Sequence, residues 1–290
     1  MFHVKHQFMY LEDETKMADL NLYFPQWQGA GERKTLYLGA AAARKGLNLK
    51  NRLQEVKLHP GDKLEKENGI IGYRPIVEQL KNVRSILDAQ EMELGSIFTL
   101  GGGCDVELAP ISYLNRAYKG ELSVLWFDAH GDLNSPETSP SGHFHGMPLR
   151  VLLEDGIEEL DQLCYSKLKP EQVSLMGVRE LDPGEQEFIE KHKMNHMPPE
   201  KIIWGDPNAW MDRLAENVYV HIDLDVLDKE AFPHTLCPVN HGLQMEQLMG
   251  IMKMLEEKRR IVGISLLEYA HLQPEPMEAF KTLAAIALWI

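Results

Sequence analysis

Short apolar runs alternate along the chain with longer segments in which apolar residues recur at the helical period. The short runs are rich in Val, Ile, Leu, Phe and Tyr, and most of them stop at Gly, Asp or Pro, which predicts buried strands. These are Leu20–Phe24, Ser96–Leu100, Leu122–Phe127, Val173–Met176, Val218–Ile222 and Ile261–Leu267. The predicted helices are Arg74–Gln90, Val106–Tyr118, Met147–Glu154, Pro183–Lys193, Gln244–Lys258 and Pro276–Trp289. This alternation predicts a mostly parallel sheet covered by helices on both faces.

The composition is that of a folded protein, and its negative net charge disfavours negatively charged partners. Of the 290 residues, 44% are hydrophobic and 26% are charged, which is typical of a globular domain. The 30 Lys and Arg residues against 44 Asp and Glu give a net charge of −14. An acidic surface argues against nucleic acid or an anionic membrane as the main partner. No apolar run approaches the roughly 20 residues of a membrane span.

The organisation of the chain indicates one domain in a reducing compartment. We find no internal repeat, low-complexity tract or long linker, so we expect a single α/β domain over residues 17–290 and an N-terminal arm or disordered tail over residues 1–16. Met1–Lys16 lacks the apolar block of a secretory signal. The chain has three cysteines: Cys104, Cys164 and Cys237. This number is small and odd, so they cannot form a disulfide framework. A cytoplasmic protein is therefore expected.

Polar clusters begin where the predicted strands end. The carboxyl ends of parallel strands meet at one edge of a sheet, and ligands bind beyond that edge. The sequence therefore predicts that these clusters lie together. They are Gly101–Asp105, Asp128–Asp132, Asp223–Asp225 and Glu268.

The cluster Asp128-Ala129-His130-Gly131-Asp132 offers two carboxylates and an imidazole at alternate positions. In extended backbone such positions point to one side, so the three side chains can converge. Carboxylate and imidazole ligands suit an ion such as Mn²⁺ or Zn²⁺. For this run alone, an Asp-rich turn without metal explains the pattern equally well.

The cluster Asp223-Leu224-Asp225 places two carboxylates on one face after a buried strand. Like charges side by side are costly unless a cation neutralises them. His221 shares the alternation but is as compatible with a packed strand histidine as with a ligand, and we do not count it. Both runs together supply enough ligands for two ions that share bridging carboxylates.

The turn Gly101–Gly103 precedes Cys104 and has neither a Walker lysine nor a dinucleotide-binding glycine pattern. Its glycines let the backbone pass close to a metal site. Cys104 is either a thiolate ligand or a small buried hydrophobe, and the second is the commoner fate of a free cysteine.

A polar loop, residues 134–146, and the run Asp182-Pro183-Gly184-Glu185 complete the candidate chemistry. His143 and His145 in the loop are candidates for acid–base work. The Asp182 run has the pattern of a helix capping box, with Pro at the first helical position. This structural role and a role in substrate binding are compatible.

The order of these motifs over residues 95–285 resembles that of the ureohydrolase family, which comprises arginase, agmatinase and relatives. The motifs are G-G-x-x, D-A-H-x-D, S-G-x-x-H-G, D-P-G-E, D-x-D and a strand-terminal L-E. The resemblance implies a three-layer α/β/α fold with a mostly parallel sheet of about eight strands. It also implies two Mn²⁺ ions, hydrolysis of a guanidino group and a trimer or hexamer.

Matched by position, the family's functional residues fall on residues already singled out for their chemistry. The implied metal ligands are Cys104, Asp128, His130, Asp132, Asp223 and Asp225. The implied catalytic residues are Asp132, a proton-relaying His145 and Glu268, which orients the guanidinium. The implied substrate-binding residues are Asn134, Ser141, His143, Asp182 and Glu180.

Within this family the chain resembles arginases most, because Asn134 and Ser141 match positions that hold the α-carboxylate of arginine. Cys104 stands where the family has a histidine ligand, and His143 stands where it has an asparagine. The first difference makes Zn²⁺ or another divalent ion an alternative at that site. The predicted reaction is hydrolysis of L-arginine to urea and ornithine. The alternatives are N-hydroxyarginine or another guanidino acid as substrate, and a metal-depleted relative without activity.

Overall fold

The computed structural model of the chain describes residues 19–31, 34–47, 49, 53–61 and 63–270. The predicted helix Pro276–Trp289 and the predicted arm, residues 1–16, lie outside the described residues. No helix within the described ranges is long and apolar enough to cross a membrane.

An eight-stranded sheet forms the centre of the fold. Its strands are β1 (Leu20–Phe24), β2 (Gln54–Glu55), β5 (Ile97–Gly101), β6 (Leu122–Phe127), β7 (Val173–Met176), β8 (Asn195–Met197), β9 (Asn217–Asp223) and β10 (Arg260–Leu267). The order is β2-β1-β5-β10-β9-β6-β7-β8, and every pairing in this sheet is parallel. A separate antiparallel pair consists of β3 (Lys66–Glu67) and β4 (Ile70–Ile71).

Helices pack on both faces of the sheet. They are α1 (Thr35–Gly46), α2 (Tyr73–Asp88), α3 (Leu108–Ala117), α4 (Pro148–Leu153), α5 (Glu158–Asp161), α6 (Pro183–His192), α7 (Pro199–Trp204), α8 (Pro207–Met211) and α9 (Met245–Lys258). Alternate strand residues face different cores: Leu22 and Phe24 belong to one buried cluster, whereas Tyr23 belongs to the other. The three-layer α/β fold expected from the sequence is therefore confirmed.

The predicted strands are confirmed to within a residue at each end, and five of the predicted helices fall within the described residues. The helix predicted over Val106–Tyr118 needs a correction, because Cys104–Glu107 forms a 3-10 turn and α3 begins only at Leu108. The sequence did not predict β2, β8, the β3–β4 pair or helices α1, α5, α7 and α8. These elements are short or polar, with the exception of α1.

Candidate metal centre and active site

The candidate site lies where the four central strands end. β5, β10, β9 and β6 are hydrogen-bonded neighbours in this order. Leu267 pairs with Asp223, and Phe127 pairs with Ile222, so the strands end at a similar height. The polar residues that follow them reach one edge of the sheet, as predicted. Among the described residues, three groups of potential metal ligands occur, each with its ligand atoms within 4.8 Å of one another.

The first of these, the His130 group, consists of Asp128, His130 and Asp225. His130 Nδ1 lies 3.0 Å from Asp225 Oδ2 and 3.5 Å from Asp128 Oδ1. The backbone N–H of Ala129 donates to Asp225 Oδ1 at 2.9 Å, and that of His130 donates to Asp128 Oδ1 at 2.6 Å. These side chains are thus held by one another and by the backbone at the end of β6.

The second, the Cys104 group, consists of Cys104, Asp128, Asp132 and His221, all of them buried. Asp128 Oδ2 accepts a hydrogen bond from Trp126 Nε1 at 3.2 Å and lies 3.8 Å from His221 Nε2. Asp132 Oδ2 and His221 Nε2 are buried without a hydrogen-bond partner among the described residues. An unpaired buried polar atom costs free energy, so this group needs a bound partner such as a cation.

The third group, Cys104, Asp223 and Glu268, joins the other two. The Cys104 thiol donates to Asp223 Oδ2 at 3.3 Å, and the backbone N–H of Asp225 donates to Asp223 Oδ1 at 2.7 Å. Glu268 Oε1 accepts the Cys104 N–H at 3.3 Å and lies 3.1 Å from His145 Nδ1. Glu268 itself has φ +59°, an uncommon backbone conformation directly after β10.

Burial and mutual repulsion shift the titration of these carboxylates. Burial, followed by the charge of neighbouring acids, raises the pKa values of Asp132 and Asp223 well above their usual range. The same causes raise the pKa of Asp225 to about 6, against the attraction of His130. For Asp128, burial is outweighed by attraction to the His130 and His221 imidazoles, and its pKa is lowered. The cluster holds more negative charge than its imidazoles balance.

Divalent cations fit this donor set. They would compensate the surplus negative charge, and they would give a partner to the buried atoms of Asp132 and His221 that lack a hydrogen bond. Carboxylates and imidazoles suit Mn²⁺ and Zn²⁺, whereas the Cys104 sulfur favours Zn²⁺. The structure brings all the predicted ligands into the three groups: Cys104, Asp128, His130, Asp132, Asp223 and Asp225. Their binding of metal stays a prediction.

A cavity with a volume of about 160 Å³ opens at the acidic cluster. Its lining includes Asp132 and Glu268 from the cluster and, beyond them, Asn134, Ser141 and Asp182. Metal-site and predicted substrate-binding residues therefore share one space. The predicted proton relay, His145, also lines this cavity.

Asn134 and Asp182 contact each other within the cavity lining. Asn134 Nδ2 donates to Asp182 Oδ2 at 2.8 Å. Asp182 is also the N-cap residue of α6, with Pro183 at the first helical position, and its backbone N–H donates to Glu185 Oε2 at 2.9 Å. The predicted capping role is confirmed, and the Asp182 carboxylate still faces Asn134.

Two predicted substrate-binding residues lie elsewhere. Glu180 lines a more open depression beside the acidic cavity, and the two spaces share His130 and Asp182 in their linings. The His143 ring lies against Gly31, since a Cβ added to Gly31 would come within 2.7 Å of His143 Nε2. Neither residue is part of the lining of the acidic cavity.

The sequence analysis missed Arg179, which holds the loop that carries Asp225. Its guanidinium donates to backbone carbonyl oxygens of Gly177, Asp225, Val226, Leu227, Val239 and Asn240 at 2.8–3.4 Å. An arginine just after β7 is the signal that could have found it, because β7 ends at the same edge as the other clusters.

The sequence analysis also missed Asp105, the residue after Cys104. It is fully buried, and neither carboxylate oxygen has a hydrogen-bond partner among the described residues. Gly29 and Gly103 make room for it, because a Cβ on either would come within 2.6 Å of its carboxylate. Burial raises the pKa of Asp105 to about 7, against the attraction of His145.

Comparison with known proteins places the chain in a family. A family model described as Arginase family matches residues 38–288. The chain is 31% identical over 260 residues to the arginase of Staphylococcus aureus (strain MRSA252), which covers 82% of this chain and 85% of that protein. The chain belongs to the arginase family.

Solved structures of arginase-family proteins share its architecture. The arginase of Bacillus caldovelox superimposes with a TM-score of 0.79 at 25% identity and covers 94% of this chain and 97% of that one. The arginase of Entamoeba histolytica, solved with L-ornithine, gives a TM-score of 0.81 at 20% identity and covers 93% and 97%. At that identity, the second comparison shows the fold alone. As a member of the arginase family, this chain is a hydrolase of guanidino groups, and the family depends on a binuclear metal centre.

Proposed function

We propose that this protein hydrolyses the guanidino group of L-arginine to urea and L-ornithine. One observation carries the proposal: the buried acidic cluster opens into the cavity that Asn134, Ser141 and Asp182 also line. A substrate with a guanidinium at one end and an α-amino acid at the other meets a suitable group at each end. An amide and a hydroxyl can bind the α-carboxylate, and the Asp182 carboxylate can bind the α-ammonium.

Two divalent cations complete the proposed site. Cys104, Asp128, Asp132 and Asp223 would hold one of them, and Asp128, His130, Asp223 and Asp225 would hold the other. When bound, such ions lower the pKa of a water molecule and supply hydroxide at neutral pH. The resemblance to the family implies Mn²⁺ at both positions, and the Cys104 sulfur favours Zn²⁺ at its own position.

The side chains around the cavity position the substrate and move its protons. Glu268 is buried and fixed by the Cys104 N–H and by His145. Its carboxylate can therefore hold the guanidinium in the orientation in which its carbon is open to attack. Asp132 can bind a cation through Oδ2, which has no hydrogen-bond partner among the described residues, and its other carboxylate oxygen can accept a hydrogen bond from the attacking water. As the C–N bond breaks, His145 supplies the proton that the leaving amine of ornithine requires.

Urea release from arginine and agmatine tests this assignment. Asn134→Ala and Ser141→Ala should lower kcat/KM for arginine by roughly tenfold, about 1.4 kcal/mol, and for agmatine by much less, because agmatine has no carboxylate. Ser85→Ala, an exposed serine on α2, is the matched control and should leave both rates unchanged. Equal losses for the two substrates would overturn the proposed recognition of the carboxylate.

A second candidate substrate is N-hydroxyarginine or another guanidino acid. It stays open because His143 stands where the family has an asparagine in the loop that binds the carboxylate. A panel of guanidino compounds in the same urea assay separates the candidates. Metal analysis of the purified protein excludes the third candidate, a metal-depleted relative, if it finds more than about one ion per chain.

The predicted trimer or hexamer and the predicted cytoplasmic location stay predictions from the sequence. Sedimentation of the purified protein would test the first of them.

A further inference from the structure

His221 is a fully buried histidine on β9. The face of its ring contacts Trp126, and one ring nitrogen contacts Glu107. Its ring stacks on the Trp126 ring with centroids 3.5 Å apart and planes 9° apart. Nδ1 lies 3.0 Å from Glu107 Oε1. Nε2 has no hydrogen-bond partner among the described residues, and Asp128 Oδ2, at 3.8 Å, is beyond hydrogen-bond range.

Glu107 determines which nitrogen of His221 carries the proton. It is fully buried, and its Oε2 accepts a hydrogen bond from the Tyr219 hydroxyl at 2.7 Å. An ionised carboxylate only accepts hydrogen bonds, so Nδ1 of His221 bears the proton that faces it. In a neutral ring, Nε2 then has a free lone pair. A carboxylate orients metal-binding histidines in proteins in this same way.

The Nε2 atom lies among other potential ligand atoms. His221 forms a group with Cys104, Asp128 and Asp132 in which one ligand atom of each residue lies within 4.8 Å of the others, and Nε2 is its nitrogen on the side of Asp128. Atoms that bind one Zn²⁺ at about 2.0–2.3 Å are separated by at most roughly 4.6 Å. The 3.8 Å between His221 Nε2 and Asp128 Oδ2 already meets this limit.

We infer that His221 is a metal ligand of the Cys104 group, oriented by Glu107. The inference rests on the binuclear site proposed above but does not depend on arginine as the substrate. Each ion then has one imidazole, His130 in the His130 group and His221 in the Cys104 group. A neutral imidazole adds a ligand without adding to the surplus negative charge. Together with the Cys104 sulfur, it makes the Cys104 group more selective for Zn²⁺.

X-ray absorption spectroscopy of the zinc-loaded full-length protein tests the inference without reference to activity. The expected shell of the two ions contains two imidazoles and one sulfur, at about 2.0–2.1 Å and 2.3 Å. Zinc affinities are measured in parallel by competition with a chelator, and melting of the metal-free proteins checks that each variant folds.

Glu107→Gln is the first variant, because glutamine has the size of glutamate. Its carbonyl oxygen can accept the Tyr219 hydrogen bond, so its amide group donates to Nδ1 and leaves the proton on Nε2. The affinity for one zinc should fall 10- to 100-fold, as expected when the partner of a ligating histidine is lost. The other zinc should bind as in the parent.

His221→Phe is the second variant and keeps a ring against Trp126 while removing the nitrogen. It should weaken the same zinc and reduce the spectrum to one imidazole. His196→Gln is the matched control, because His196 is a half-buried histidine on β8 that contacts the Val178 carbonyl oxygen at 2.9 Å. It should leave both zinc affinities and the imidazole count unchanged.

Two results would overturn the inference. One is a parent spectrum with a single imidazole, which would leave His221 as a buried ion pair between Glu107 and Asp128. The other is a pair of folded variants that bind both zinc ions as tightly as the parent. Urea release is measured on the same samples. Two zinc-bound imidazoles in a protein that releases no urea from arginine with either zinc or manganese bound would reject the proposed substrate and leave the His221 assignment intact.

Discussion

The two halves of the site differ in how completely their polar atoms are paired. In the His130 group, Asp225 Oδ1 accepts the Ala129 N–H, and Asp225 Oδ2 lies 3.0 Å from His130 Nδ1. In the Cys104 group, Asp132 Oδ2 and His221 Nε2 are buried without partners among the described residues. The first group is thus organised by its own contacts, whereas the second still needs a cation.

The pairing difference coincides with the sequence difference. All three residues of the His130 group come from the D-A-H-x-D and D-x-D motifs by which the chain resembles the arginase family. The Cys104 group contains the residue in which the chain departs from them, together with His221. The two ion positions therefore differ in their donor atoms. Because of this difference, substitutions in one group should affect one ion more than the other.

Asp223→Ala should have the largest effect, because Asp223 joins the two halves. It contacts the Cys104 thiol through Oδ2 and the Asp225 N–H through Oδ1. Its removal takes a ligand from both ions, so metal content and urea release should fall together, the latter by roughly 10³-fold or more. Metal analysis beside the urea assay checks this. Retention of both ions would remove Asp223 from the site and end the description of two joined halves.

The sequence predicted the central strands well because they are buried on both faces. Leu122–Phe127 and Val173–Met176 are apolar runs interrupted by one serine each, and their ends coincide with the observed strands. The edge strand β8, Asn195–Met197, is only partly buried and has no such run. Helix α1 contains Gly39, where a Cβ would meet the Tyr269 carbonyl oxygen. A close contact between distant segments thus placed a helix-weakening residue in α1, although the four alanines that follow it favour a helix.

The site was predictable where neighbours in sequence are neighbours in space. Asp128, His130 and Asp132 alternate after a strand end, and that spacing predicted that they converge. The structure groups Asp128 with His130 and, separately, with Asp132, because Asp132 has φ +53° and leaves the extended conformation. The partners of His221 come from elsewhere: Glu107 lies 114 positions away and contacts it at 3.0 Å. Periodicity says nothing about such a pair, so the choice between a packed histidine and a ligand needed the three-dimensional contacts.

Glu268→Gln should have the next largest effect and separates substrate positioning from metal binding. Glu268 accepts the Cys104 N–H and lies 3.1 Å from His145 Nδ1. Loss of its charge should lower kcat/KM for arginine by about 10²–10³-fold, as for other groups that stabilise charge in an active site. Metal content should stay near that of the parent. A large loss of metal would instead make Glu268 a ligand of the third group.

Cys104→His should make the two halves more alike. Replacing the sulfur with an imidazole removes the ligand that favours Zn²⁺ and restores the residue type of the related family motif. We expect manganese affinity at this position to rise by about tenfold, equal to about 1.4 kcal/mol, with more urea release from arginine at neutral pH. The measurement that checks this expectation is the manganese stoichiometry of the parent and of the variant. A variant that binds less manganese would show that this turn does not bind metal as proposed.

The smallest effect, and the most direct test of the pairing difference, is expected in the metal-free protein. Asp132→Asn removes a buried charge that burial and neighbouring acids disfavour, so melting should shift upward by roughly 2–4 °C, about 1 kcal/mol. Asp225→Asn also removes a charge that burial and neighbouring acids disfavour, but it loses the contact with His130 at 3.0 Å, so the upward shift in melting should be smaller than for Asp132→Asn.

Saturating zinc should reverse the benefit of the first substitution. Both variants lose a ligand, so the rise in melting temperature on adding zinc should be smaller in each than in the parent. Scanning calorimetry with chelator and with zinc measures all these shifts on the same preparations. If metal-free Asp132→Asn melts below the parent, the charge in the Cys104 group is already compensated within the protein. In that case the two halves do not differ in their need for a cation, because the contacts around Asp132 would already stabilise its charged form.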